Sequence, residues 1–164
     1  MIKLLTTTAF LLMSLVNVSY GQELTYLSCA VNTELSPNDV ITHQLMVLNL
    51  NEKVYGTVNL FKDEFLENRV DTDGTDYAKS IINGTLEDTI SYVSSAEIRF
   101  ASFHGKLDRI SGEMNNSQDI ERVNGKKVAF YCSPINKPQA ENLLQRQIER
   151  RSEIIKQNEE KRLF

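Results

Sequence analysis

The chain is short of histidine, cysteine and positive charge, and each shortage removes a class of function. Its two histidines, His43 and His104, and its two cysteines, Cys29 and Cys132, show neither the close spacing nor the mixed clustering of a metal site. Lys and Arg number 18 against 22 Asp and Glu, a net charge of −4. Nucleic-acid binders carry a basic stripe, so nucleic acid is not an expected partner. Glycine occurs seven times, never in a phosphate-cradling loop. Neither the nucleophile-elbow pattern Gly-x-Ser-x-Gly nor Ser-x-x-Lys occurs. Tryptophan is missing altogether, so aromatic recognition rests on Tyr and Phe. Beyond the first residues no stretch is apolar enough to span a bilayer. Phe164 ends the chain as in many outer-membrane barrels, but the residues before it lack the alternation of a membrane strand.

What is present starts with Lys3, an apolar run from Leu4 to Val18, and the small-residue context of Ser19-Tyr20-Gly21. That order marks residues 1–21 as a secretory signal peptide cut after Gly21. The run is shorter than the roughly 20 residues of a membrane span. Export places the cysteines in an oxidising compartment, the periplasm or exterior of a bacterium. A disulfide between Cys29 and Cys132 is then expected, closing a loop of roughly 100 residues and contributing at most roughly 4–5 kcal/mol by chain entropy. Cys29 lacks the Leu three residues upstream that a lipidation box has, since Tyr26 stands there. An apolar content of 41% supplies a core for one domain, expected over residues 22–135, with a charged helical segment over 136–164.

Alternation dominates the body. Leu24–Val31 places Leu27, Cys29 and Val31 on one face; Gln44–Leu50 places Met46, Leu48 and Leu50 together. Asn51-Glu52 turns that strand into Lys53–Phe61, with Val54, Val58 and Leu60 in phase, so a hairpin is expected. Gly56 inside it marks a bulge or a close packing contact. Ser36–Asp39 reads as a turn and Lys62–Gly74 as a long acidic connection. Further strands are expected at Tyr77–Asn83, at Leu86–Val93 with Ile90 and Tyr92 on one face, at Glu97–Phe103 with Ile98 and Phe100 inward, at Lys106–Ser111, and at Lys127–Ser133 with Val128, Phe130 and Cys132 on one face. Asn115–Lys126 reads as a polar loop. The fold class is mainly β, a small antiparallel barrel or sandwich whose first and last strands are tied by the disulfide.

Pro134 and Pro138 end the β pattern. Gln139–Leu163 has neither Pro nor Gly and is rich in Glu, Gln, Arg, Lys, Leu and Ile, which predicts a helix of about 25 residues, about 37 Å long. Pairs such as Arg146–Glu149, Arg150–Glu153 and Glu153–Lys156 support it. Leu143, Leu144 and Ile148 are expected to dock, and the remainder, with Ile148 and Ile155 on the thin apolar stripe, to project or to meet a protein partner as a weak coiled coil.

Several segments invite chemistry. Asp71-Thr72-Asp73-Gly74-Thr75-Asp76 looks like the start of a calcium loop but lacks the closing acid, so an acidic turn between strands is expected. Asn83-Gly84-Thr85 is a glycosylation sequon and also a turn signal. Tyr26, Tyr55, Tyr92, Phe100, Phe103, Phe130 and Tyr131 form an aromatic set that packs a core or lines a ligand cavity, with Tyr92 and Phe100 as the ligand-facing pair. His43 and His104 read as surface or turn residues. No cofactor, metal or catalytic residue is expected.

Leu107-Asp108-Arg109-Ile110-Ser111-Gly112-Glu113-Met114, followed by Phe130-Tyr131-Cys132, resembles an element of small exported bacterial proteins. Those proteins carry an apolar residue, Asp or Asn, Arg, a variable residue, Ser or Thr, then Gly, ahead of a late cysteine. The resemblance implies export and a β-rich fold, and no activity. Three functional expectations remain: a non-enzymatic binding or interaction module, a small-molecule-binding barrel, and a hydrolase whose carboxylates meet only in the fold.

Overall fold

A computed structural model describes residues 23–32, 41–69, 72–115 and 128–162. The expected signal peptide, the Ser36–Asp39 turn and all but the first residue of the Asn115–Lys126 loop lie outside them. The described elements are β1 (Leu24–Val31), β2 (Ile41–Asn49), β3 (Val54–Phe61), α1 (Asp63–Arg69), α2 (Thr72–Ile82), β4 (Asp88–Val93), β5 (Glu97–Phe100), β6 (Lys106–Asp108), β7 (Glu113–Asn115), β8 (Val128–Ile135) and α3 (Lys137–Arg162). The eight strands form a closed antiparallel barrel in which sequence neighbours pair and β8 returns to β1. Cys29 and Cys132 face each other directly in the β1–β8 register, with Cα atoms 3.8 Å apart, and are disulfide-bonded across that seam. Closure removes the open edges that a sandwich would have kept.

The alternation predicted for the first strands is real, and it serves two cores. Leu27, Cys29, Met46, Leu48, Tyr55, Phe100 and Cys132 fill the barrel interior. Tyr26, Leu45, Val47, Val58 and Leu60, of opposite parity, are buried outside the barrel against Ala78, Ile81, Ile82, Ala140 and Leu144. The β1–β3 sheet is therefore covered on both faces, by side chains within and by α2 and α3 without. Gly56 is a close contact rather than a bulge: a Cβ there would lie 2.6 Å from Cδ1 of Ile81. The Tyr26 hydroxyl donates to the Ile82 carbonyl at 3.1 Å, joining sheet to helix end.

Two segments differ from the sequence reading. Tyr77–Asn83 is not a strand but the second half of α2 and the first residue after it, and Lys62–Gly74 is not an irregular connection but holds α1 and the start of α2. Ala78, Ile81 and Ile82 stand at helical spacing, and all three are buried. Neither alternating face of that stretch is uniformly apolar. Asn83-Gly84-Thr85 ends the helix. Gly84 has φ +97° and its N–H donates to Ile81 O at 2.9 Å, while Thr85 N–H donates to Ser80 O at 3.0 Å. That pair of bonds is a Schellman cap, which needs a residue in the left-handed region. The acidic 72–76 segment is likewise the opening of a helix, not a turn between strands; Asp71 lies outside the described residues.

The last strand runs through Pro134 to Ile135. Pro134 is opposite Leu27 on the β1 side, while the pairing with β7 ends at Tyr131, so its missing N–H leaves no bond unmade there. β7 was not foreseen; it is the return limb of the hairpin that begins with β6. The long helix starts two residues before the expected Gln139. Asn136 and Gln139 cap it reciprocally: Gln139 N–H donates to Asn136 Oδ1 at 2.9 Å and Asn136 N–H to Gln139 Oε1 at 2.8 Å. Pro138 sits in the first turn, where no helical N–H is required. Leu144 is buried and Leu143 and Ile148 pack beside it, as expected of a docked helix. The docked part reaches further than those three: Gln147 accepts from Phe61 N–H at 2.7 Å and Arg150 pairs with Asp63 at 2.9 Å. No described helix is long and apolar enough to cross a membrane.

Candidate functional site

Packing at the barrel centre divides the interior into two end cavities. One, of about 140 Å³, lies where β1 begins and β8 ends and is walled mainly by Leu27, Leu48, Leu50, Ile98, Leu107 and Pro134. The other, of about 270 Å³, lies at the opposite end and is of different character. Its polar wall is Gln44, Thr57, Asp88, Ser102 and Asn115. Its apolar wall is Tyr55, Phe103, Met114 and Phe130.

Each polar group reaches this space for a structural reason. Gln44 is two residues before Met46, so it shares the inward parity of β2; Thr57 is paired with Met46 across the hairpin. Asp88 is directly opposite Tyr55 where β3 and β4 meet, and those strands pair only at two positions, Val54–Thr89 and Tyr55–Asp88. Asn115 follows a register irregularity next to Met114 that lets two consecutive residues of β7 line the same cavity. The Asn115 Oδ1 atom is buried and has no hydrogen-bond partner among the described residues. Gln44 Nε2 donates to Asn59 Oδ1 at 3.0 Å, which orients its own amide oxygen.

The aromatic wall is closely packed. The Phe100 and Phe103 rings stack with centroids 5.0 Å apart, and Tyr55 packs 4.8 Å from Phe100 and 6.0 Å from Phe103. The Tyr55 hydroxyl is hydrogen-bonded to the Ser102 hydroxyl. Burial pushes the Tyr55 phenol upward, the Ser102 hydrogen bond opposes this, and the nearby Asp88 charge adds to it. Tyr55 is therefore a neutral hydroxyl at the cavity wall rather than a phenolate.

The expected ligand-facing pair is not brought together. Phe100 is buried inside, whereas Tyr92 is 47% exposed on the outer surface with the Arg99 guanidinium 5.2 Å from its ring centroid. The expectation that Ile90 and Tyr92 share a face fails because the register shifts between them, one residue out of phase with simple alternation. Of the remaining aromatic set, Tyr26 belongs to the outer core, Tyr131 is exposed, and Tyr55, Phe103 and Phe130 reach the polar cavity. Ile148, expected on a partner-facing stripe, packs against the outer core, and Ile155 is half-buried. His43 is half-buried in β2; His104 is exposed in the β5–β6 turn with φ +50°. Among the described residues no group of three or more His, Cys, Asp and Glu could hold a metal ion.

The element that resembles exported bacterial proteins is a turn docked on the disulfide. Asp108 Oδ1 accepts from the N–H groups of Ile110 and Ser111 at 2.8 and 2.9 Å. Those bonds, Ser111 first, hold its carboxyl below the usual Asp range. Arg109 Nη1 donates to Ser94 O at 2.6 Å, tying the β6–β7 turn to the β4–β5 turn. Gly112 has φ +75° and lies against Cys132. Every defining residue of the element thus has a local structural duty. The residues missed by sequence reasoning were the polar ones of the cavity. Their one legible sign was Gln44 in phase with an inward apolar stripe.

No family model, no curated protein and no solved structure matches this chain significantly.

Proposed function

We propose that this chain is an exported, non-enzymatic binding module, and that it holds a small molecule at the polar end of its disulfide-closed barrel. One observation carries the reading. A 270 Å³ cavity sits at one end of the barrel interior, beyond its packed centre, with hydrogen-bonding groups on one side and aromatic rings on the other. Ligand sites are concave, largely apolar and furnished with a few placed polar groups, and barrel mouths are a recurrent location for them. The unpartnered Asn115 Oδ1 adds to this, because a buried acceptor without a donor costs about 1–3 kcal/mol that a bound ligand can recover. The disulfide and the lack of a spanning helix among the described residues fit release into the periplasm or exterior after cleavage of the signal peptide.

The test is native mass spectrometry of the full chain produced in an oxidising periplasm. An additional mass should stay with the wild-type protein and with Tyr92→Glu, whose side chain is outside, and be lost from Phe103→Glu, which places a charge in the cavity. Oxidised, ligand-free chains in all three cases would overturn the small-molecule reading.

A second reading, protein recognition along α3, is favoured by open grooves of about 520 and 530 Å³ beside the first half of that helix. Glu141, Asn142 and Gln145 are exposed there. The hydrolase reading has less behind it. The two described carboxylates with displaced titration, Glu97 and Asp108, are displaced downward, opposite to what a general acid needs.

A further inference from the structure

We infer that the polar end cavity selects small organic cations, in particular a primary ammonium carried on a compact aromatic or aliphatic body. The inference rests on the cavity being the binding site and adds the chemical class of its occupant. Three features of the lining lead there.

The first is charge. Among the described residues of the lining Asp88 is the one that is formally charged, and no described Lys, Arg or His joins it. None of the ion pairs among the described residues engages Asp88. Asp88 stands directly opposite Tyr55 in the β3–β4 register and lines the cavity with it. A half-buried carboxylate with no cation paired to it among the described residues favours a positive guest and disfavours an anion.

The second is the balance of donors and acceptors. Asn115 presents a buried oxygen with no partner among the described residues, and the Gln44 amide, which gives one N–H to Asn59, adds a second amide oxygen to the lining. Thr57 and Ser102 hydroxyls can also accept. A guest that brings several N–H bonds can be met by these acceptors together with the Asp88 carboxylate, and an ammonium brings three. A carboxylate or phosphate would bring none.

The third is the opposite wall. Phe103 and Phe130 line the cavity with Tyr55, and the Phe103 ring is held by stacking on Phe100. Aromatic faces attract cations and pack the apolar part of an amine equally well. The carboxylate and the rings thus act on the two ends of one amphipathic molecule, which is how a site of this size reaches selectivity.

The experiment compares three probes of near-equal size on the full, oxidised chain: phenethylamine, 2-phenylethanol and 3-phenylpropionate, with D-glucose as a fourth, polar probe. Binding is read by ligand-observed NMR and calorimetry. Phenethylamine should bind about tenfold or more tightly than 2-phenylethanol, and 3-phenylpropionate should not bind. Asp88→Asn should bring the amine and alcohol to within about twofold of each other while leaving alcohol binding unchanged. Asn115→Leu should weaken the amine. Equal binding of amine and alcohol by the wild-type chain, or tighter binding of glucose, would overturn the cation class and leave the cavity as the site. Absence of binding by every probe, in a chain shown folded by its circular dichroism, would overturn the class and count against the cavity reading as well. An amine that binds equally to wild type and Asp88→Asn, with Phe103→Glu also without effect, would place its site elsewhere and overturn the inference.

Discussion

Gly112 lies directly against the backbone of Cys132: a Cβ at Gly112 would meet the Cys132 carbonyl oxygen at 2.3 Å, while Cys132 N–H donates to Gly112 O at 2.7 Å. The turn between β6 and β7 is therefore seated on one half of the disulfide. Two demands meet at this glycine, a φ of +75° and the space of a missing side chain.

Gly112→Ala should destabilise the fold by about 2–4 kcal/mol, since strain and overpacking against backbone add. Ile110→Ala, two residues away and 85% exposed, should change stability by less than about 0.5 kcal/mol. Urea unfolding of both variants decides it. Equal midpoints would mean that the turn does not bear on barrel closure.

Gly56→Ala should cost about 1–3 kcal/mol, because the new methyl meets Ile81 at 2.6 and 2.9 Å and Leu86 at 3.2 Å. Ile81→Val removes the Cδ1 atom that causes the closest contact. The double variant should lose less stability than the two single losses added together, by about 0.5 kcal/mol or more in a double-mutant cycle. Simple additivity would show that sheet and helix do not touch there in solution.

The first half of α3 is part of the body. Leu144→Ala should destabilise by about 2–4 kcal/mol through loss of buried surface and the cavity left behind. A chain ending before Pro138 should expose the outer core and lose cooperative unfolding. One ending after Lys156 should keep it, since Ala140, Leu144, Ile148 and the Arg150–Asp63 pair all remain. A cooperatively folded short chain would instead make the whole helix an accessory arm.

Glu97 accepts from Lys106 and Arg99, both at 2.6 Å, and these contacts, Lys106 foremost, hold its carboxyl below the ordinary range. Asp108 is lowered by backbone donors. A carboxylate with a depressed folded pKa stabilises the fold above its unfolded value, about 3.9–4.3 for Asp and Glu, and loses that contribution as pH falls through the folded value. Stability should thus decline below about pH 4, and Glu97→Gln with Asp108→Asn should flatten that decline. A pH profile of urea midpoints unchanged by the double variant would assign acid sensitivity to other groups.

Much of the barrel was legible because strand period is a local property. Leu27 and Cys29, Met46 and Leu48, Ile98 and Phe100 declared their inward faces by alternation alone. The pairing of Cys29 with Cys132 followed from there being two cysteines in a chain whose first residues read as an export signal. The long terminal helix was equally plain, because Gly and Pro are missing from it and helix formers dominate. The Tyr77–Asn83 stretch went astray because so short an apolar run satisfies strand and helix alike, and its partners Val58, Leu60 and Tyr26 are distant in sequence.

The sequence by itself determined the secondary periodicity of the barrel strands and the terminal helix, since each depends on neighbours along the chain, and the cross-link, since only two cysteines are present to form it. Only the tertiary structure decided that the outer faces of β1–β3 form a second core, that Tyr92 turns outward past an irregular register, and that Gln44, Asp88 and Asn115 share one cavity. Those outcomes depend on barrel closure and strand register, which bring together side chains far apart in the sequence, and no local pattern encodes that convergence.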